Sequence, residues 1–284
     1  MKHYKNYFTF SEFLNIAENG NPTIDNDLRS SRKTDDYHFY NTNDFNEAMD
    51  LAKFGWKDSF KMVELSKNLD KLIPVSQFKE SFVYDVSGSY PDVGKYLTGE
   101  PENMVQFITE EDEKKISIII NGGVSWQIDQ KIQFNKGAAV VSLVSKLEDL
   151  GYRVEVTLLY CSQSLVKNNN SRHDTFVKIK EYHEQIDIDR FAFIFCNVAF
   201  NRRIKFSVNE CLPIAEEMGY YKKGSYGKVS DLCKNDSDIL NSYDINLLER
   251  LVPETQDEFS SLEKSAEYVV QIINQYLEKQ KERV

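Results

Sequence analysis

The sequence predicts an α/β fold: a central, mainly parallel sheet flanked by helices, with a helical N-terminal portion and a long C-terminal helix. Three observations predict it. Residues 115–161 read as an apolar run (Ile116, Ile118, Ile119, Ile120), a polar glycine-rich turn, a helix-period segment, Gly151, and a second apolar run from Val154 to Tyr160. That order is strand, loop, helix, strand. The dense apolar stretch FAFIFCNVAF (Phe191–Phe200) fits a buried strand or a buried helix, which periodicity does not separate, and is taken here as a strand over Ala192–Asn197. Between Glu258 and Glu282, the residues Leu262, Ala266, Val269, Val270, Ile273 and Leu277 recur at the spacing of a helix with one buried face.

A chain of 284 residues with 41% hydrophobic and 13% aromatic content can bury a substantial core. Its 18 Phe and 16 Tyr argue against disorder. The formal charge of −10 disfavours broad binding to nucleic acid. None of the four cysteines forms a C-x-x-C pair, and Cys161 and Cys196 lie in apolar runs, so buried free thiols are expected. The start MKHYKNYFTF lacks a signal-peptide core, and no apolar run approaches the length of a membrane span. A cytosolic protein, or one made in a cytosol, is expected.

The elements follow in order. Phe10, Phe13, Leu14 and Ala17 share a helical face, with Ser11 as cap and Gly20 as stop. Residues 21–43 are polar and read as an exposed, flexible arm. A second helix ends at Gly55-Trp56 and repeats the spacing of the first, Phe10 matching Phe45 and Gly20 matching Gly55. A third helix runs from Lys57 to Ile73, ended by Pro74. Residues 1–75 thus form a helical N-terminal portion and 76–284 the α/β domain. Short strands are expected at Phe82–Val86 and Met104–Ile108, separated by a multi-turn loop carrying Tyr90 and Asp92. Asn168–Asn170 is a loop tip, Thr175–Lys180 an edge strand, Pro213 and Gly219 bracket a short helix, and Asp238–Tyr243 is a last strand.

The loop Asn121-Gly122-Gly123-Val124-Ser125 is the foremost candidate site. It stands at the carboxyl end of a central strand, where open α/β sheets hold ligands. Two glycines let a ligand approach the backbone, while Asn121, Ser125 and Asp129 offer oxygens suited to Mg²⁺. Asp85-Val86-Ser87-Gly88-Ser89 spells D-x-S-G-S but is followed by Pro and Gly rather than a helix. His3, His38, His173 and His183 lie in polar surroundings and read as surface histidines, and no G-x-S-x-G elbow, P-loop or H-E-x-x-H is present. Arg202, Arg203 and Lys205 form a basic stretch that reads as a solvated helix face.

Strand, polar loop, the helix within KGAAVVSLVSKLEDLGYRVEV and the next strand resemble a degenerate von Willebrand factor A domain. That family carries D-x-S-x-S in the loop. Here Asn121 stands for the aspartate, Gly123 for the first serine, and Ser125 agrees. The resemblance implies Thr175 as a distant metal ligand and places Asn197 near the family's second aspartate. Residues 44–206 also resemble an uncharacterised family of tailed-phage proteins, through Gly55-Trp56, DVSGSYPDVGKYLTGEPENMV, the Asn-Gly-Gly loop and FAFIFCNVAFNRRIKF.

The reading that follows is a phage-encoded interaction module without catalysis. It binds a phage or host protein through Gly122, Gly123, Trp126, Tyr90 and Asp92, since aromatic anchors dominate interface energetics. Two alternatives stand beside it. One is a Mg²⁺-dependent enzyme acting on phosphoryl groups with Asp85, Asp92 or Asp129 as ligands. The other is a virion structural component. The expected cofactor is none, or weakly bound Mg²⁺.

Overall fold

Residues 115–121 do become the buried strand that the rest of the sheet is built around. The computed structural model describes residues 2–23, 31–33, 36–56, 81–88, 90–108, 115–149, 151–220, 226–232 and 236–281. In chain order the elements are β1 (His3–Thr9), α1 (Phe10–Asn19), α2 (Tyr37–Tyr40), α3 (Phe45–Phe54), β2 (Ser81–Asp85), β3 (Tyr90–Pro91), α4 (Val93–Thr98), β4 (Met104–Ile108), β5 (Lys115–Asn121) and α5 (Gln130–Asp149). There follow β6 (Arg153–Gln163), β7 (Arg172–Lys180), α6 (Ile188–Cys196), a π-helix (Phe200–Lys205), α7 (Phe206–Cys211), α8 (Ala215–Met218), β8 (Lys228–Val229), α9 (Ser237–Asn241), β9 (Ile245–Leu247) and α10 (Leu262–Lys281).

The main sheet has the order β1-β7-β6-β5-β9, with β8 paired to β6. β1 is parallel to β7, and β5 is parallel to both β6 and β9, while β7 and β8 run antiparallel to β6. The sheet is therefore mixed but mostly parallel. Six of the seven β5 residues are buried, as expected of a strand covered on both faces. On one face Ile116, Ile118, Ile120, Val156, Leu158 and Val177 pack under α1, α3, α5, α6 and α10. On the other, Ile119, Leu159, Cys161 and Phe176 are covered by Leu232, Ile239, Leu240, Tyr243 and Leu248. β2, β4 and β3 form a separate antiparallel sheet, which includes both short strands expected there.

Four expectations are corrected. First, the N-terminus opens with a strand. His3–Thr9 pairs along the length of β7, so Thr175–Lys180 belongs to an interior strand, not an edge. The cap of α1 is Thr9: its Oγ1 accepts from the Glu12 amide at 3.2 Å, and the Glu12 carboxylate accepts from the Thr9 amide at 2.8 Å. Second, Phe191–Cys196 is helical. Asp187 Oδ1 accepts from the Arg190 amide at 3.0 Å and so starts α6, and a helix apolar all round can be buried on every side. Third, the segment 237–241 is the helix α9, its Ile239 and Leu240 lying on the second face of the sheet, and the last strand is Ile245–Leu247. Fourth, the described parts of 21–43 are exposed only in part. Ser31, Tyr40 and Thr42 are buried, and the Thr23 amide donates to Glu210 O at 2.9 Å. The helix expected at Lys57–Ile73 lies outside the described residues.

The basic stretch anchors those buried residues. Arg202 and Arg203 sit on the π-helix and are buried, not solvated. Arg203 Nε donates to Thr42 Oγ1 at 2.9 Å, Nη1 to Ser31 O at 3.0 Å, and Nη2 to Thr42 O and Asn43 O at 3.2 and 3.3 Å. The guanidinium also lies 4.2 Å from the Tyr40 ring centroid. Arg202 Nη1 donates to Phe39 O at 2.6 Å. An arginine fork matches several carbonyls at fixed angles, which a lysine does not.

Arg203→Met keeps an apolar stem and removes every donor, leaving buried carbonyls unsatisfied. It is expected to lower stability by about 3–5 kcal/mol in urea unfolding. A loss under about 1 kcal/mol would mean that this side chain does not hold residues 31–43 in place.

Candidate functional site

The chain leaves β5 for β6 on one side and reaches β9 on the other, so the carboxyl end of β5 is the point where an open sheet leaves a crevice. Here that crevice is laced shut. Val124 and Leu251 form a parallel bridge, with the Leu251 amide donating to Gly123 O at 2.9 Å and the Ser125 amide donating to Leu251 O at 2.8 Å. Asn121, almost wholly buried, turns its Oδ1 back to accept from the Gly123 amide at 2.8 Å. The two glycines give way to protein atoms and not to a ligand. A Cβ on Gly122 would stand 2.7 Å from Leu158 Cδ1, and one on Gly123 would stand 2.7 Å from Val229 Cγ1.

A lysine occupies the interior side of this crevice. Lys136, on the second turn of α5, donates from Nζ to Asn121 O at 2.8 Å and to Glu249 O. It thereby ties the end of β5 to the segment following β9. Burial pushes its pKa down to about 8, partly offset by Glu249 and Glu258. Beside it lies a cavity of about 20 Å³ lined by Asn121, Gln133, Tyr160 and Asn201. That volume suits a single water molecule. Gln133 Oε1, buried and without a hydrogen-bond partner among the described residues, is the acceptor such a water would meet.

The four oxygens expected to hold a metal are not brought together. Asp129 is exposed and caps its own turn, Oδ1 accepting from the Lys131 amide at 2.7 Å. Thr175 lies on β7, two strands away from Asn121, and its Oγ1 meets His173 Nε2 at 3.0 Å. Ser125 is half-buried. Among the other carboxylates considered, Asp85 accepts from the Val86 amide at 2.6 Å. Asp92 caps α4 by accepting from the Lys95 amide at 3.1 Å, and it also accepts from Tyr84 Oη at 2.9 Å. Backbone hydrogen bonds to Lys95 hold the Asp92 carboxyl below its usual range, ahead of the Tyr84 contribution. Trp126 is 75% exposed at the tip of the β5 loop. The Tyr90 side chain lies outside the described residues, though its backbone pairs with Val105.

Two groups expected at the surface lie inside. His173 is fully buried rather than superficial. Its Nδ1 meets Tyr220 Oη at 2.8 Å, its Nε2 meets Asn6 Oδ1 at 2.9 Å, and Ser162 Oγ lies 3.2 Å from Tyr220 Oη. Burial first, then Lys205 and His3, push its pKa down to about 3, so the ring is neutral. Sealed from solvent, this His-Tyr-Ser cluster is a packing network with no approach for a substrate. Lys205 is also buried, its ammonium 5.4 Å from the Tyr160 ring centroid and 5.7 Å from that of Phe206, and burial lowers its pKa to about 8. Spacing gave no signal for His173, since residues 173–177 of β7 are all buried and its pairing with Ser162 appears only in the sheet register. Cys161 and Cys196 are buried free thiols as expected, while Cys233 lies outside the described residues. No helix among the described residues is long and apolar enough to cross a membrane.

Lys136 gives the protein a pH dependence with a definite sign. Its folded pKa of about 8 lies below the 10.5 of the unfolded chain. Between those values the unfolded chain holds the proton that the folded chain has released, so stability rises with pH across that window. The neutral amine still donates to both carbonyls. Lys136→Met removes the donor to both carbonyls and is expected to cost about 1–3 kcal/mol at pH 7. The stability difference in favour of the native lysine should then grow by on the order of 2–3 kcal/mol between pH 8 and 10.5. Denaturant titrations of both proteins at each pH check this, and a difference that stays constant contradicts it.

No curated protein and no solved structure matches the chain. The profile of a family described as "Domain of unknown function (DUF7192)" matches residues 2–280, and the chain belongs to that family.

Proposed function

We propose that this chain is a protein-interaction module encoded by a tailed phage, built on a degenerate von Willebrand factor A-like domain and acting without catalysis in the host cytoplasm. Its recognition surface is the loop from Gly122 to Gln127, with a phage or host protein as partner. The observation that carries this reading is the pairing of a closed crevice with an exposed aromatic. The position where an open sheet takes a ligand is filled by Lys136, and Trp126 stands outward on the same loop, 75% exposed. The loop is held by the Leu251 hydrogen bonds and by the Ile128 amide donating to Ser125 O at 3.1 Å. An aromatic side chain presented on a fixed loop loses little entropy on binding.

A second surface of the same kind is α4, following Asp92. Val93, Tyr96 and Leu97 are all exposed on its six residues. The phage setting rests on the likeness of residues 44–206 to tailed-phage proteins, and the domain type on the strand, polar loop, helix and strand order of β5, α5 and β6.

The test uses the full chain as bait in infected and uninfected host lysates, beside Trp126→Ala and a control, Phe54→Ala, which removes an equally exposed aromatic at the end of α3. A partner captured by native protein and by Phe54→Ala but lost with Trp126→Ala is expected. With that partner purified, Trp126→Ala should weaken binding by about tenfold or more at unchanged thermal midpoint. Equal capture by all three proteins would sink the reading. Recovery of the chain at high copy number in purified particles would favour a virion component.

A further inference from the structure

Along β1, His3 and Lys5 fall on the same face of the sheet as Arg172 and Asp174 of β7, their register partners. Asp236, immediately before α9, meets them there. His3, Asp174 and Asp236 are the one group of three His, Cys, Asp or Glu among the described residues whose donor atoms converge within 4.8 Å.

The roles within this group differ. His3 Nε2 and Asp174 Oδ2 are 2.7 Å apart, so the ring donates its Nε2 proton to that carboxylate. Asp174 is fully buried and is itself fixed by Arg172 Nε at 3.0 and 3.3 Å from its two oxygens. In the neutral ring with its proton on Nε2, Nδ1 presents a lone pair toward Asp236 Oδ2 at 3.7 Å; in the imidazolium the same two groups are an ion pair. Asp236 is 8% exposed. It stands at the N-cap of α9 yet makes no side-chain cap bond, which is the usual task of an aspartate there. Its Oδ1 takes the Lys5 ammonium, and its Oδ2 is buried with no hydrogen-bond partner among the described residues.

Two acceptors thus face one another across 3.7 Å. The gap is too wide for a direct hydrogen bond, which needs about 3.2 Å or less. It is too narrow for a relaxed water bridge, since two hydrogen bonds at an open angle place the acceptors about 4.5 Å apart. A cation at roughly 2.0–2.1 Å from each atom spans it with an angle of about 125–135°. We propose that His3 Nδ1 and Asp236 Oδ2 form a site for a zinc-type divalent cation, with Asp174 as the carboxylate behind the imidazole and water at the remaining positions. A carboxylate on the far nitrogen is the usual way a ligating histidine is oriented. The cation would join the first strand to the segment preceding α9. Lys5 on Oδ1 opposes it electrostatically and keeps the site weak.

The experiment is a calorimetric titration of the untagged full chain with Zn²⁺, repeated with Co²⁺ for its visible absorption. Native protein should take up a single Zn²⁺ and gain thermal midpoint. His3→Ala and Asp236→Asn should each weaken binding at least about tenfold, and Asp174→Asn by about 10–100-fold. Lys5→Met should tighten it, a change that simple loss of structure would not produce. Replacing the exposed His38 or His183 should change nothing. Circular dichroism confirms that each variant is folded, and Asp236→Asn, which keeps the side-chain shape, serves if His3→Ala is not. The proposal falls if the folded native chain binds no Zn²⁺ below about millimolar concentration. It falls equally if binding survives both His3→Ala and Asp236→Asn or follows His38 or His183 instead.

Discussion

The ammonium of Lys136 is the contact on which the arrangement of the sheet edge depends. It is carried by α5 and reaches carbonyls at the end of β5 and just beyond β9, so one side chain joins three elements at the point where the chain changes direction across the sheet. Two backbone acceptors that would otherwise be left without donors are satisfied from inside the protein, which is what a buried strand end requires. The cost is desolvation of a cation, visible in its lowered pKa. The functional consequence is that the crevice is no longer a vacancy. Any cation bound at the end of β5 would meet the lysine charge first.

Burial of cations recurs through the described residues. Arg202 and Arg203 address the carbonyls of residues 31–43. Lys180 donates to Val154 O at 2.7 Å and pairs with Glu148 at 2.6 Å. Arg203 matches its guanidinium fork to several oxygens, whereas Lys205 meets aromatic faces at cation–π distances. The π-helix that carries Arg203 and Lys205 places them on successive sides of one short segment, so one faces residues 31–43 and the other Tyr160. Wide helical turns of this sort are uncommon and are kept where side-chain placement requires them.

How much of this was legible in the sequence varies by element, for physical reasons. β5, α5 and β6 were readable because their apolar periods differ and a glycine turn separates them. Phe191–Cys196 was misread because a helix buried on every side loses its 3.6-residue pattern and looks like a central strand; the Asp187 cap was the signal that distinguishes them. β1 was missed because its outward residues are polar and its partner, β7, lies some 170 positions away. The Asn121 loop was correctly placed at the carboxyl edge, but its glycines accommodate Leu158 and Val229, an intramolecular cause that spacing does not reveal. Nor does spacing reveal a lysine folded inward, since lysine is exposed in most settings. The His3 and Asp236 pairing was beyond reach for the same reason as β1: the two residues are neighbours only once the sheet has closed.

These placements bear on what the surface can recognise. The formal charge is −10, and Lys136, Lys180, Arg202, Arg203 and Lys205 are directed inward to carbonyls, carboxylates and rings. Among the described residues, cations nearer solvent include Lys53 and Arg250, which pair with Glu18 and Asp231. A phosphate backbone approaching a chain of this net charge meets net repulsion. The polar capacity of the β5 loop is likewise spent internally, Asn121 on Gly123 and the Ser125 amide on Leu251. What remains unspent there is the indole of Trp126, a large apolar surface with a single donor. Such a surface offers apolar area and shape rather than charge.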